Sequence, residues 1–150
     1  MRVTRTIPIL CALLLLPAAA VLHADLKAAM AEHDLGKRSK LALDNAGATL
    51  KAVREAYQKG DNEALGPLLK ELEESIGLAW DSLENTGKNP RKSPKWFKEA
   101  EIKTRGLLRK LESLQHDMDF EERVWLDQAK VRLEKVHDDL LVGLMEGKQR

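Results

Sequence analysis

The sequence predicts an all-α fold: an antiparallel up-down-up-down four-helix bundle after a cleaved signal peptide. Three observations predict it. Apolar residues recur every three or four positions through four long segments, which lines one face of a helix in each. Gly60, Gly87 and Gly147 stand where three of those segments stop. The first 24 residues follow the order of a secretory leader: positive, apolar, small, then polar.

In the leader, Arg2 and Arg5 supply the positive start, and Ile7 to Leu22 carries no charge. Ala18, Ala19, Ala20 and Ala24 are the small residues before Asp25, so cleavage is expected after Ala24 or Ala20. A spanning helix needs about 20 apolar residues. This run is shorter and holds Pro8 and Pro17, so no transmembrane span is expected in the mature chain. Cys11 lies inside the apolar run, not at its end, which argues against a lipoprotein. It leaves with the leader, so the mature domain would enter an oxidising compartment without a disulfide. The core must then do all the work of stability, and the mature length allows that. Removing Arg2 and Arg5 leaves 23 basic and 24 acidic residues, a net charge of −1. Nothing in that balance marks a nucleic-acid binder.

Residues 25–36 read as an Ala-rich, loosely held N-terminal arm ended by Gly36, and residues 37–150 as the bundle. The first segment, Lys37–Lys59, points Leu43, Ala46, Leu50, Val53 and Tyr57 inward and ends at Gly60-Asp61. The second, Asn62–Thr86, uses Leu65, Leu69, Leu72, Ile76, Ala79 and Leu83. Pro67 lies in its first turns, where proline is best tolerated, so the helix proper is expected to begin near it. Ser93 as N-cap with Pro94 at N1 starts the third, which runs to Met118. Its inward residues are Phe97, Ala100, Thr104, Leu107, Leu111, Leu114 and Met118. Asp119 and Glu122 resemble a capping box for the fourth, which runs to Glu146. There Leu126, Ala129, Leu133, Val136, Leu140 and Leu144 face inward.

The segments alternate in net charge: +4, −6, +2 and −3. In a ring ordered as the chain runs, each helix would touch only neighbours of opposite sign, which disfavours wrong pairings. Leu50, Glu55, Gln58, Leu69, Asp81 and Leu83 recur 57 positions on, which fits either a duplicated hairpin or common bundle patterning.

Candidate sites are few. The most informative is the loop into the third helix, where Lys88, Arg91, Lys92, Lys95 and Lys98 surround Trp96 and Phe97. Cations at a helix start oppose its macrodipole. They point to an anion-facing patch with Trp96 as aromatic anchor, suited to lipid headgroups or an acidic polysaccharide of an anionic envelope surface, or to an acidic protein partner. The alternative is a solvated loop answering the acidic second helix. Met30 and His137 occupy places comparable to the haem ligands of exported four-helix b-type cytochromes, and Glu134-x-x-His137 resembles half of a di-iron element. The di-iron element has no second copy, and Gly36 with Lys37-Arg38 separates Met30 from the first helix, so no cofactor and no metal are expected; the Cys-x-x-Cys-His attachment of c-type haem is absent. His116, Asp117 and Asp119 crowd one turn. Trp80 and Trp125 fall just off the apolar seams, as core edge or as a partner patch. No nucleophile elbow or glycine-rich phosphate loop is present, so no catalytic residue is assigned.

Ala56-Tyr57-Gln58-Lys59-Gly60-Asp61 with Ala64 resembles the middle of a tetratricopeptide repeat, without the further copies such an array needs. The run from Asn89 to Arg105, with His137-Asp138-Asp139-Leu140-Leu141, resembles blocks of small exported all-helical bacterial proteins of unknown function. That resemblance spans roughly residues 40–146 and implies a bacterial, helical, periplasmic or secreted protein. The expected role is a non-catalytic binding or structural module, with a haem- or metal-binding bundle as the alternative.

Overall fold

Asp34 opens the first long helix: its carboxylate accepts the Lys37 N–H at 2.9 Å, satisfying a donor that the helix itself leaves free. In the computed structural model, which describes residues 22–147, the elements are α1 (Leu22–Ala31), α2 (Leu35–Lys59), α3 (Asn62–Asn85), α4 (Lys95–Asp117), a 3₁₀ turn (Arg123–Leu126) and α5 (Asp127–Glu146). The described residues are all-helical, with four long helices and a short one. Most of the expected leader, with Cys11, lies outside the described residues; the Ala24–Asp25 bond falls within α1.

Among the described residues, positive φ occurs only at Gly60, Gly87 and Gly147, the three glycines expected to stop helices. Other boundaries differ from expectation. Gly36 does not end the N-terminal stretch; it is the second residue of α2. The break falls at Glu32–Asp34, where the Arg38 guanidinium donates to the Glu32 carbonyl at 2.7 Å. The stretch is also not loose: Ala29 is fully buried and Leu26 nearly so, because α1 packs on α2 and reaches α3. Asp61 caps α3 at Asn62, so Pro67 sits inside the helix rather than at its start. At Lys95 no side chain caps the helix, and Pro94, not Ser93, holds the N-cap position. The expected capping box is replaced. Glu122 takes a hydrogen bond from the Tyr57 hydroxyl at 2.7 Å, and the chain makes a 3₁₀ turn before α5 begins at Asp127.

The inward residues read from periodicity form the core, with Tyr57, Leu69 and Leu144 at its edge. Asn45 reaches Glu71 and Ser75 across the α2–α3 hairpin, and Glu101 meets His137 across α4–α5, so both hairpins are antiparallel. Between hairpins the direction is parallel. Asp44 meets Lys103 and Arg54 meets Asp117 along α2 and α4, while Gly77 lies under the Arg132 guanidinium along α3 and α5. Each long helix thus has one antiparallel and one parallel neighbour.

This corrects the expected ring. α2 and α4 are both net basic and lie side by side; α3 and α5 are both net acidic and do the same. The like-charged α2–α4 seam is bridged by minority carboxylates. Asp44 takes Lys40 and Lys103, and Asp117 takes Arg54. Arg132 plays the converse part, laying a cation over α3. The molecule is therefore charge-segregated, basic on one side and acidic on the other. The 57-residue echo is close to this stacking but out of register with it, since Asp44–Lys103 and Arg54–Ser113 are each 59 apart.

Between α2 and α3 runs a polar seam that periodicity did not reveal. Asn45 of α2 and Glu71 and Ser75 of α3 are all buried there. Asn45 Nδ2 donates to Glu71 Oε1 and Ser75 Oγ, each at 2.9 Å.

Candidate anion-facing site

The loop into α4 is built rather than slack. Asn89 Oδ1 accepts the Arg91 N–H at 2.9 Å and the Lys92 N–H at 3.3 Å, an Asx turn that fixes the backbone without help from a helix. Pro90 is buried and packs on Gly143 of α5. Asn89 and Arg91 lie against Gly147, the residue that ends α5. At the other end of the segment, Phe97 is in the core. Lys88, Arg91, Lys92, Lys95 and Lys98 are all exposed, so the anchors point in and the cations point out.

Trp96 has a different place from the one expected. Its indole lies flat on the backbone of Gly36, where a methyl group would overlap the ring. It is half-buried and wedges α4 against the start of α2, and so offers no free aromatic anchor. Lys95 covers its outer face at 4.7 Å from the ring centre, a cation–π contact.

The position of the loop also supplies a structural reason for its charge. It follows the C-terminus of α3 and borders the C-terminus of α5, ends where cations are favoured by about 0.3–1 kcal/mol each. Asp34 faces it from α2. The Lys37 N–H holds the Asp34 carboxyl below its ordinary value, and the Lys37 and Lys88 charges add to this.

The haem pair is not brought together. Met30 lines an open groove of about 560 Å³ with Leu26, Gly66, Pro67 and Glu71, between α1 and α3. His137 stands on the α4–α5 seam, with Nε2 3.2 Å from Glu101 Oε1. Glu134 is exposed and pairs with Lys130 instead of His137. His116, Asp117 and Asp119 diverge: Asp117 binds Arg54, and the Asp119 N–H donates to Tyr57 Oη at 3.0 Å. Among the described residues, no group of three or more His, Cys, Asp or Glu could hold a metal ion. Trp80 packs at the core edge. Trp125 is exposed beside Leu65, Gly66 and Leu69, with Phe120, 83% exposed, at the same end of the molecule.

Among the described residues, no helix is long and apolar enough to cross a membrane. No family model, no curated protein and no solved structure matches the chain.

Proposed function

We propose that this protein is an exported, non-catalytic binding or structural module of the cell envelope. In this reading its two hairpins make a four-helix bundle, delivered by a cleaved signal peptide to the periplasm or beyond. The basic end docks it on an anionic surface or partner. One observation carries the docking reading: the loop 88–98 is locked by Asn89, Pro90, Trp96 and Phe97 while every cation on it stays exposed. The neighbouring helix C-termini account for part of this charge; the fixed backbone and the exposure of all five cations support docking beyond that. Electrostatic attraction to anionic lipid contributes about 1 kcal/mol per cation near the surface. Three substitutions, Lys92→Gln, Lys95→Gln and Lys98→Gln together, should abolish co-sedimentation with anionic vesicles and leave the melting temperature nearly unchanged. Equal sedimentation of variant and parent would refute docking through the loop.

A further inference from the structure

The basic loop is one end of a longer basic face. Because α2 and α4 lie side by side, the same seam leads from the loop, past the Lys40–Asp44–Lys103 ion pairs, to a second group of cations in a cleft. That cleft, about 420 Å³, is lined by Gly47, Leu50, Lys51, Arg54, Arg109, Lys110 and Ser113. Four of those seven residues are cations and none is acidic. The Arg54 guanidinium is held in place by Asp117 and by Ser113 Oγ at 3.0 Å. Arg109 and Lys110 are exposed and form no ion pair among the described residues. Nothing in the fold calls for two unpaired cations beside a fixed third one. They supply charge-assisted donors for an oxyanion, with arginine offering the bidentate fork that suits carboxylate, sulfate and phosphate.

We propose that this face binds a linear acidic polysaccharide, with one anionic group in the Arg54–Arg109–Lys110 cleft and the chain continuing to the loop at Lys92–Lys98. Along α4 the cleft and loop are about 21 Å apart, from Lys95 to Arg109 at 1.5 Å per residue. Only an extended ligand contacts both. The cleft is recessed between two helices over Gly47, so a chain enters it and a flat bilayer does not. Nucleic acid fits less well. Binding single strands relies on exposed aromatic side chains for base stacking, and on α2 and α4 Tyr57 and Trp96 are half-buried and Phe97 is in the core. The inference deepens the docking reading and rests on it for the part played by the loop.

The test measures binding of a heparin oligosaccharide by calorimetry, beside co-sedimentation with anionic vesicles. Two variants are compared with the parent: Arg109→Gln with Lys110→Gln, and the triple loop variant. The cleft variant should bind heparin on the order of tenfold more weakly and sediment with vesicles as the parent does. Arg109→Lys, a third variant that keeps the charge but loses the fork, should fall between the parent and the cleft variant. Unchanged heparin binding in the cleft variant, with loss in the loop variant, overturns the cleft and leaves loop docking standing. Equal loss of vesicle binding in the cleft variant means a flat surface covers the whole face, and overturns the chain ligand. So does single-stranded DNA binding as tightly as heparin. A parent that binds neither heparin nor vesicles defeats both readings.

Discussion

At Gly36 two effects of opposite sign meet. Replacing a glycine in a helix by alanine ordinarily gains up to about 0.5–1 kcal/mol, and less in the first turn, where Gly36 lies. Here the added methyl runs into the Trp96 indole, and overpacking costs about 1–3 kcal/mol. The clash wins, so Gly36→Ala should lower stability in urea denaturation and shift tryptophan emission. Gly36→Ala combined with Trp96→Leu should recover much of the loss; additive losses would show that the indole is not the obstacle. Gly106 provides the opposite case. Nothing lies within 4 Å of a Cβ there, so Gly106→Ala should raise stability by about 0.5–1 kcal/mol. Sequence alone does not predict this difference. Gly36 read as the end of the N-terminal stretch and Gly106 as part of a helix, and only the position of a tryptophan 60 residues from Gly36 shows which of them is crowded. The same fact hid the role of Trp96: a tryptophan among lysines reads as a surface anchor until its slot is seen.

Helix boundaries were legible where backbone conformation demands one residue type. Gly60, Gly87 and Gly147 were readable because left-handed φ excludes most side chains. The α4–α5 turn was not, because its determinant is distant: Tyr57 donates to Glu122 and accepts from Asp119, tying the α2 end to that turn. The Asp119 N–H, the largest single influence, would lower the Tyr57 pKa; the Glu122 hydrogen bond, burial and the Glu122 and Asp119 charges together outweigh it, and the net shift is upward. Tyr57→Phe should destabilise by about 0.5–1.5 kcal/mol and speed amide exchange at residues 118–123. Exchange unchanged there would show that the turn holds itself. The α2–α4 seam depends on pH in a defined direction. Burial alone would raise the Asp44 pKa, but hydrogen bonds from Lys103 and Lys40 overcome this and hold it below 3.8. A depressed folded pKa stabilises above the unfolded value and is lost as the pH falls through the folded one. Stability should therefore drop as the pH falls below about 4, and Asp44→Asn should flatten that dependence. A parallel drop in both proteins would assign the acid sensitivity elsewhere. The polar α2–α3 seam escaped the pattern because apolar periodicity passes over Asn45, Glu71 and Ser75, whose burial goes with their hydrogen bonds to one another across the hairpin.

For the molecule as a whole, periodicity was enough to find four apolar seams and not enough to order them. Net charge per helix suggested alternating neighbours, and it misled because it averages over all faces. The α2–α4 contact is decided by Asp44 and Asp117, two residues that hardly alter either helix's total. Segregated charge has a direct readout: at pH 8 the chain should be retained on both cation and anion exchangers despite a formal net charge of only +1. Arg109→Gln with Lys110→Gln should elute earlier from the cation exchanger alone. Failure to bind the cation exchanger would mean that the basic side is neutralised in solution. The parallel stacking of two hairpins bears finally on how the chain reaches this state. The α2 and α3 partners lie close along the chain, and so do those of α4 and α5, so each hairpin can close early through local contacts. Docking the two across the segment 86–94 is then the late step. Two separately expressed pieces, one ending and the other beginning within that segment, should find each other and reassemble.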